Sequence, residues 1–225
     1  MYSDISLALV LIVIIALAFD FVNGFNDTAN VIATSVSTRA LTPQTAIIVA
    51  TVFNFIGAFS GTALAKTIGK GIIPPENLAG PFAHSILIAA LLGAITWNLI
   101  TWYFGIPSSS SHALIGGLTG ASISALGFSS IHWNGFLKIL TSLITSPILG
   151  LIFGAMVMIL LFWIFRESDP HQVNKGFLTM QVLTAAGMAW AHGSNDAQKS
   201  MGIITLAIIH SQVVGDIVKE IYHVW

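Results

Sequence analysis

The apolar stretch at residues 136–165 is long enough to cross the hydrocarbon core of a bilayer with some tilt. Only 8% of the 225 residues are charged and 55% are hydrophobic, whereas soluble domains average roughly 25% charged residues. A soluble fold of this size would need more polar surface, so we expect an integral membrane protein. Pro147 is a candidate for a bend within this stretch.

Several further apolar segments indicate a chain that crosses the membrane more than once. They cover residues 5–22, 44–65, 83–104 and 112–128, and then 177–191, which continues as 200–210. The connections between them are short and turn-like, and the N-terminus lacks the basic region of a signal peptide, so the first segment is interpreted as a retained helix. The pattern predicts an all-α polytopic membrane protein.

Net charge and cysteine content exclude some classes of site. The formal net charge of −1 argues against a nucleic-acid-binding face, which would be basic. The chain has no cysteine, so disulfides and thiolate metal sites are excluded.

Two polar motifs lie within the apolar segments and share a G-x-N-D core. They read "NGFNDTAN" at 23–30 and "AHGSNDAQKSMG" at 191–202. Gly24 and Gly193 permit a break in a helix, and irregular backbone at membrane depth survives only inside protein or beside a polar cavity. We therefore expect a broken helix at each motif, as in transporter binding sites near the bilayer midplane. The alternative is that these Asn and Asp side chains only cap helices or bond to neighbouring helices.

Acidic side chains at membrane depth are costly unless they have a function. Asp20, Asp27 and Asp196 are the acids in or beside the two motifs. Carboxylates and freed backbone carbonyls would coordinate a cation, while the N-termini of half-helices would face an anion.

A third motif, "GIPSSSSHALIGGLTG" at 105–120, combines a helix stop, four serines and the start of a glycine-rich helix. One of Ser108–Ser111 would cap that helix, and the hydroxyls and free N–H groups would form an uncharged cradle for phosphate or sulfate. An ordinary capped loop is the alternative. His112 would be a proton site or hydrogen-bond donor, or a structural residue at the helix start.

Together these motifs resemble the signatures of the PiT-type inorganic phosphate transporters, and the second motif is most similar to the bacterial low-affinity branch. The resemblance implies a non-enzymatic, multi-pass symporter of the cell inner (plasma) membrane. It would carry inorganic phosphate, free or as a metal–phosphate complex, driven by protons or sodium and without a bound cofactor.

The resemblance also implies the residues of the site. Phosphate binding would involve Asn26, Asp27, Ser108, Ser109, Ser110, Ser111, Asn195 and Asp196. Cation coupling, with sodium as a candidate ion, would involve Asp20, Asn23, Asp27, Asn30 and Asp196. In the second motif His192 and Lys199 take the positions of Asn23 and Asn30, so the two halves differ chemically. Lys199 would offset a negative charge or extend to the membrane interface.

An inverted repeat constrains the topology that the resemblance implies. The first repeat would cover residues 1–165 and the second would begin at 166–225. The second begins on the opposite side of the membrane only if residues 83–128 form a re-entrant helical hairpin with its tip at Ser108–Ser111. This hairpin is therefore our prediction.

The second repeat is expected to be incomplete, because a second serine cluster at the same spacing from its motif would lie beyond Trp225. The partners would then be the lipid bilayer and either a second copy of the chain or a complementing C-terminal fragment. A non-transporting membrane subunit or remnant is the alternative. An intramembrane hydrolase using a serine, His112 and Asp27 is disfavoured, because the serines lack a G-x-S-x-G elbow.

Overall fold

The structure is a computed structural model that describes residues 7–63, 65, 72–74 and 82–210. Within these residues it shows six long α-helices, one short 3₁₀ turn at Phe128–Ser130 and no strand. The helices are α1 (Leu7–Ser37), α2 (Pro43–Ala58), α3 (Ala83–Tyr103), α4 (Ser110–Leu126), α5 (Trp133–Phe165) and α6 (Pro170–His210). The predicted all-α class is therefore confirmed. Some predicted positions lie outside the described residues: residues 5–6 of the first apolar segment, residue 64 of the second, and residues 211–225 of the second repeat.

Three of these helices are long and apolar enough to cross a membrane, namely α1, α3 and α5. α5 has 33 residues, none of which is buried, and it stays helical through Pro147. Its apolar side chains face outward all round, which suits a helix surrounded by lipid. The helices α2 and α4 are shorter, with 16 and 17 residues.

Both polar motifs lie within uninterrupted helices, α1 and α6, so the predicted breaks at Gly24 and Gly193 are wrong. A glycine inside a helix costs only about 1 kcal/mol relative to alanine, which neighbouring helices can offset by packing. The backbone therefore keeps its own hydrogen bonds, and the motifs contribute side chains rather than freed carbonyls and N–H groups.

α1 and α6 pack against each other in opposite directions. Asn23 of α1 contacts Asp196 of α6, and just after the end of α1 Thr38 hydrogen-bonds to Gln181, which is earlier in α6. This contact brings the two motifs face to face. An inverted repeat requires an antiparallel pair of this kind, and the division of the chain into repeats stays a prediction.

The third motif lies at the tip of a helical hairpin formed by α3 and α4. The hydroxyls of Thr101 and Ser108 are hydrogen-bonded at 2.8 Å near the tip. Further from the tip, Gly117 lies against the backbone of Ala90. The two arms are therefore antiparallel, as the predicted hairpin requires. A core of buried side chains fixes the hairpin against α1 and α6: Ile12, Ala16, Phe19, Leu87, Leu91, Leu114, Leu118, Ile203 and Leu206.

Single cysteines at Ser85 and Ser129, both exposed near the open end of the hairpin, are expected to react from the same side of the membrane. The reason is that an antiparallel hairpin returns the chain to the side from which it left. A membrane-impermeant thiol reagent applied to cells and to inverted vesicles measures this, and the absence of native cysteine keeps the signal specific. Labelling from opposite sides would rule out the hairpin as the membrane topology.

α2 crosses α6 at a point where two glycines allow the backbones to touch. A Cβ added at Gly193 would lie 2.6 Å from the carbonyl carbon of Asn54, and one added at Gly57 would lie 2.9 Å from the nitrogen of Ser194. Such contacts can be relieved only by moving a helix, because the neighbouring atoms are backbone. Gly193 is therefore required for close packing, which explains its presence in an unbroken helix.

Gly193→Ala is expected to destabilise the protein by about 3 kcal/mol or more, because the new methyl group forces α2 away from α6. The matched control is Gly187→Ala on the same helix, where an added Cβ meets nothing within 4 Å. Thermal unfolding in detergent would compare the two variants. Equal melting temperatures for both would mean that the helix crossing is not as close as described.

Candidate functional site

Asp196 lies at the centre of the contact between the two motifs. Its Oδ1 accepts a hydrogen bond from Nζ of Lys199 at 2.7 Å, and its Oδ2 accepts one from Nδ2 of Asn23 at 2.7 Å. Nε2 of His192 lies 2.8 Å from Oδ2. His192, Asp196 and Lys199 are four and three residues apart, so an unbroken helix places them on one face.

Lys199 connects this carboxylate to the serine-rich hairpin. Its Nζ also donates to Oγ of Ser110 at 2.7 Å, and the lysine is only 4% exposed. Ser110 is the first residue of α4. The second motif is therefore bonded directly to the hairpin tip.

The other serines of the cluster have separate positions. Ser109 caps α4, since its Oγ accepts a hydrogen bond from the backbone N–H of His112 at 3.4 Å. Ser108 is exposed at the tip, Ser111 is half-buried in the first turn of α4, and His112 is exposed beside it. Ser109 is thus the serine that caps the helix, as expected for one of the four, and His112 contributes the backbone N–H group that donates to it.

The first motif faces the same region from α1. Asp27 lies beside Ser110, and Nδ2 of Asn26 donates to the carbonyl of Asn98 at 3.4 Å. Asp27, His192 and Asp196 each offer one ligand atom, and these three atoms lie within 4.8 Å of one another. Two carboxylates and an imidazole at this separation could hold a metal ion.

A cavity of about 290 Å³ opens between α1 and the hairpin tip. Its lining consists of Asn26, Asp27, Asn30, Thr101, Trp102, Gly105, Ile106, Pro107 and Ser108. A water molecule takes about 30 Å³ in the liquid, so the cavity has room for a small oxyanion together with several waters. Hydroxyl and amide groups line one part of this space together with one carboxylate, that of Asp27, and the apolar side chains of Trp102, Ile106 and Pro107 line the rest.

Nine of the residues predicted from the sequence fall into two adjoining groups. Asn26, Asp27, Asn30 and Ser108 line the cavity, whereas Asn23, Ser110, His192, Asp196 and Lys199 form the bonded cluster beside it. Asp20 lies deeper, next to Ser200, and its buried Oδ1 has no hydrogen-bond partner among the described residues. Asn195 is exposed and does not line the cavity, because one step along an intact helix turns it away from Asp196.

Two residues of this region were not identified from the sequence, Asn98 and Thr101 of α3. Asn98 is 1% exposed, and neither polar atom of its side-chain amide has a partner among the described residues. Thr101 is also buried and joins Asn98 to the tip, since its hydroxyl donates to the carbonyl of Asn98 at 3.1 Å and bonds to Ser108. Asn98 could have been identified as a polar residue within an apolar segment, which is the feature that identified Asp20.

A serine beside a lysine is also a known nucleophile and base pair. Here the lysine does not act as a base, because the ammonium of Lys199 is ion-paired with Asp196 and donates to Ser110. His112, the other base considered from the sequence, is exposed and makes only a backbone contact with the serines. The geometry therefore does not support a hydrolase.

Comparisons with known proteins show what this chain is similar to. A model of the "Phosphate transporter family" matches residues 23–225. A "Probable low-affinity inorganic phosphate transporter" of Bacillus subtilis (strain 168) is 55% identical over 207 residues, which are 92% of this chain and 62% of that protein. One of Rhizobium meliloti (strain 1021) is 47% identical over 208 residues, 92% of this chain and 61% of that protein.

The "Low-affinity inorganic phosphate transporter PitA" of Escherichia coli (strain K12) is 34% identical over 249 residues, 97% of this chain and 50% of that protein. The chain thus spans 50% to 62% of the length of these three relatives. A solved structure, "The sodium-dependent phosphate transporter", is similar in fold with a TM-score of 0.74 and 23% identity. That match covers 91% of this chain and 68% of the other.

Proposed function

Because the chain belongs to the phosphate transporter family, we propose that it binds inorganic phosphate and carries it across the plasma membrane together with a cation. The observation that carries this proposal is the cavity in which Asn26, Asp27 and Asn30 of the first motif meet Ser108 of the hairpin tip. The relatives from Bacillus subtilis and Rhizobium meliloti are both described as low-affinity inorganic phosphate transporters, which supports phosphate as the substrate.

The lining of the cavity suits an oxyanion that has lost part of its water. A phosphate ion in a membrane protein needs hydrogen-bond donors in place of water. The amides of Asn26 and Asn30 are neutral donors around this cavity, and the hydroxyl of Ser108 would become one by exchanging its bond to Thr101 for one to phosphate. Neutral donors bind the anion without holding it too tightly for release.

Asp27 supplies a reason for cation coupling. Its carboxylate lines the same cavity, so a phosphate ion there would be repelled unless a proton neutralised Asp27 or a cation lay beside it. Phosphate and cation would then bind together and leave together. The solved structure with the similar fold is described as sodium-dependent, which makes sodium one candidate and the proton the other.

A metal–phosphate complex is a second form of the substrate, and a specific observation favours it. The imidazole of His192 lies with the carboxylates of Asp27 and Asp196, with ligand atoms within 4.8 Å of one another. Imidazole is a good ligand for divalent metals such as zinc and a poor one for sodium. These three side chains would hold the metal, and the cavity donors would hold its phosphate.

Uptake of radioactive phosphate by the purified protein in liposomes tests the proposal. We expect accumulation that depends on an imposed proton or sodium gradient and that unlabelled phosphate reduces. Lys175→Ala, an exposed position at the start of α6, should not change it. No accumulation above protein-free vesicles with either gradient, or with divalent metal added, would contradict the proposed function and favour a non-transporting membrane subunit.

A further inference from the structure

We propose that Lys199 is a tethered cation, whose ammonium takes the place of a free metal ion between the second motif and the hairpin tip. The inference rests on the proposed function only for its consequence in transport, which is that binding of the mobile coupling ion requires Asp27. The tethered charge itself follows from contacts within the chain.

The contacts of the ammonium are those of a bound hard cation. Nζ of Lys199 lies 2.7 Å from a carboxylate oxygen of Asp196 and 2.7 Å from the hydroxyl oxygen of Ser110. Both partners are oxygen atoms and they come from different elements, α6 and the first turn of α4. A metal ion bridging the two elements would use the same oxygens as ligands.

The charges around this point require a cation. Asp20, Asp27 and Asp196 all lie close enough to Lys199 to interact with it electrostatically, and His192 is the remaining titratable neighbour. Without Lys199, three carboxylates would share a poorly solvated region with one imidazole. Burying unpaired charges of one sign is costly, so either a cation or protonation of the acids must offset them, and Lys199 supplies the cation.

The first motif lacks this built-in charge. The residue that corresponds to Lys199 is Asn30, which is neutral, exposed and part of the cavity lining. The two copies of the motif therefore differ in the way their acids are compensated. Asp196 is neutralised permanently by its own helix, whereas Asp27 depends on a proton or an ion from outside.

The experiment removes the ammonium group of Lys199 and supplies a free cation in solution in its place. Lys199→Ala is purified in detergent without phosphate, and its melting temperature is measured in N-methylglucamine chloride, in sodium chloride and in methylammonium chloride at equal ionic strength. We expect sodium or methylammonium to raise the melting temperature of Lys199→Ala by about 5 °C more than that of the wild type. Lys199→Arg, which keeps the charge, and Lys175→Ala, which removes a lysine that is exposed on the same helix, should respond like the wild type.

Lys199→Gln separates charge from hydrogen bonding, since its amide can still donate to Asp196 and Ser110 but is neutral. It should gain the same sensitivity to cations as Lys199→Ala. The proposal is overturned if both variants respond to the cations no more than the wild type. It is also overturned if neither variant folds even with these cations present, because the lysine would then act through its shape.

These measurements contain no phosphate, so they remain valid if the wild-type protein shows no uptake in liposomes. An absence of uptake would contradict the proposed function but would not affect the proposal that Lys199 is a tethered cation. Conversely, the wild type could accumulate phosphate while the melting temperatures of the Lys199 variants respond to cations no more than that of the wild type. This outcome would support the proposed function and contradict the role of Lys199 as a tethered cation.

Discussion

Replacing Asp196 with asparagine is expected to lower the stability of the protein and to abolish phosphate uptake at the same time. The carboxylate is the partner of Lys199, Asn23 and His192. Its loss leaves the ammonium of Lys199, which is almost fully buried, without the carboxylate that it contacts directly. Breaking a buried ion pair on one side costs about 3–5 kcal/mol, which corresponds to a fall in melting temperature of roughly 10 °C for a chain of this size.

Thermal unfolding and uptake in liposomes would be measured on the same preparations. Glu167→Gln is the matched control, because Glu167 is an exposed acid near the start of α6 whose ion pair with Arg166 lies at the surface, where such pairs contribute little. The double variant Asp196→Asn with Lys199→Met should recover part of the stability, since both partners of this ion pair are then removed, but none of the uptake. An unchanged melting temperature in Asp196→Asn would contradict the central role of this carboxylate.

Replacing Asp27 with asparagine should also abolish phosphate uptake, but it should leave the stability intact or raise it. Asp27 lines the cavity, and its ligand atom lies within 4.8 Å of that of Asp196. Two carboxylates at this distance repel each other, so removing one charge relieves that repulsion. Uptake is lost because the neutral amide can neither exchange a proton nor supply the negative charge that attracts the coupling cation.

Uptake by Asp27→Asn would be compared with that of protein-free vesicles, under both a proton and a sodium gradient, and its melting temperature with that of the wild type. If the variant takes up phosphate like the wild type and with the same ion dependence, Asp27 is not part of the coupling site. The contrast between the variants is itself informative, because the two acids occupy equivalent positions in the two motifs. A fall in stability for both would mean that the attraction of Asp27 to Lys199, His192 and Ser110 outweighs its repulsion from Asp196.

The sequence predicted well those features that depend on local patterns of hydrophobicity. The long apolar segments correspond to the helices α1, α3 and α5, and the serine cluster lies at the tip of the α3–α4 hairpin. Membrane spans are set by the length of apolar sequence, and a helix stop followed by capping residues marks a turn, so both can be derived from neighbouring residues. The grouping of Asn26 and Asp27 with Ser108, in contrast, was implied by the family resemblance.

Other features depend on contacts between distant residues. Gly193 suggested a helix break, but its small size serves the close approach of Asn54 on α2. Because α6 is continuous, Asn195 is turned outward and His192 and Lys199 are brought to Asp196. Asn98 joins the region only through the packing of α3 on α1, so its polar character in an apolar segment was the single clue.

The most direct test of phosphate binding between α1 and the hairpin tip is the protection of a cysteine placed in the cavity wall. Ile106→Cys adds a single thiol to a chain with no cysteine, at a residue that lines the cavity. Its reaction with a soluble thiol reagent should slow several-fold as phosphate is added and should not respond to the same concentration of chloride. Ser129→Cys, which lies away from the cavity, should react at the same rate with and without phosphate. An Ile106→Cys rate that is independent of phosphate, with or without sodium, divalent metal or acid pH, would contradict phosphate binding at this site.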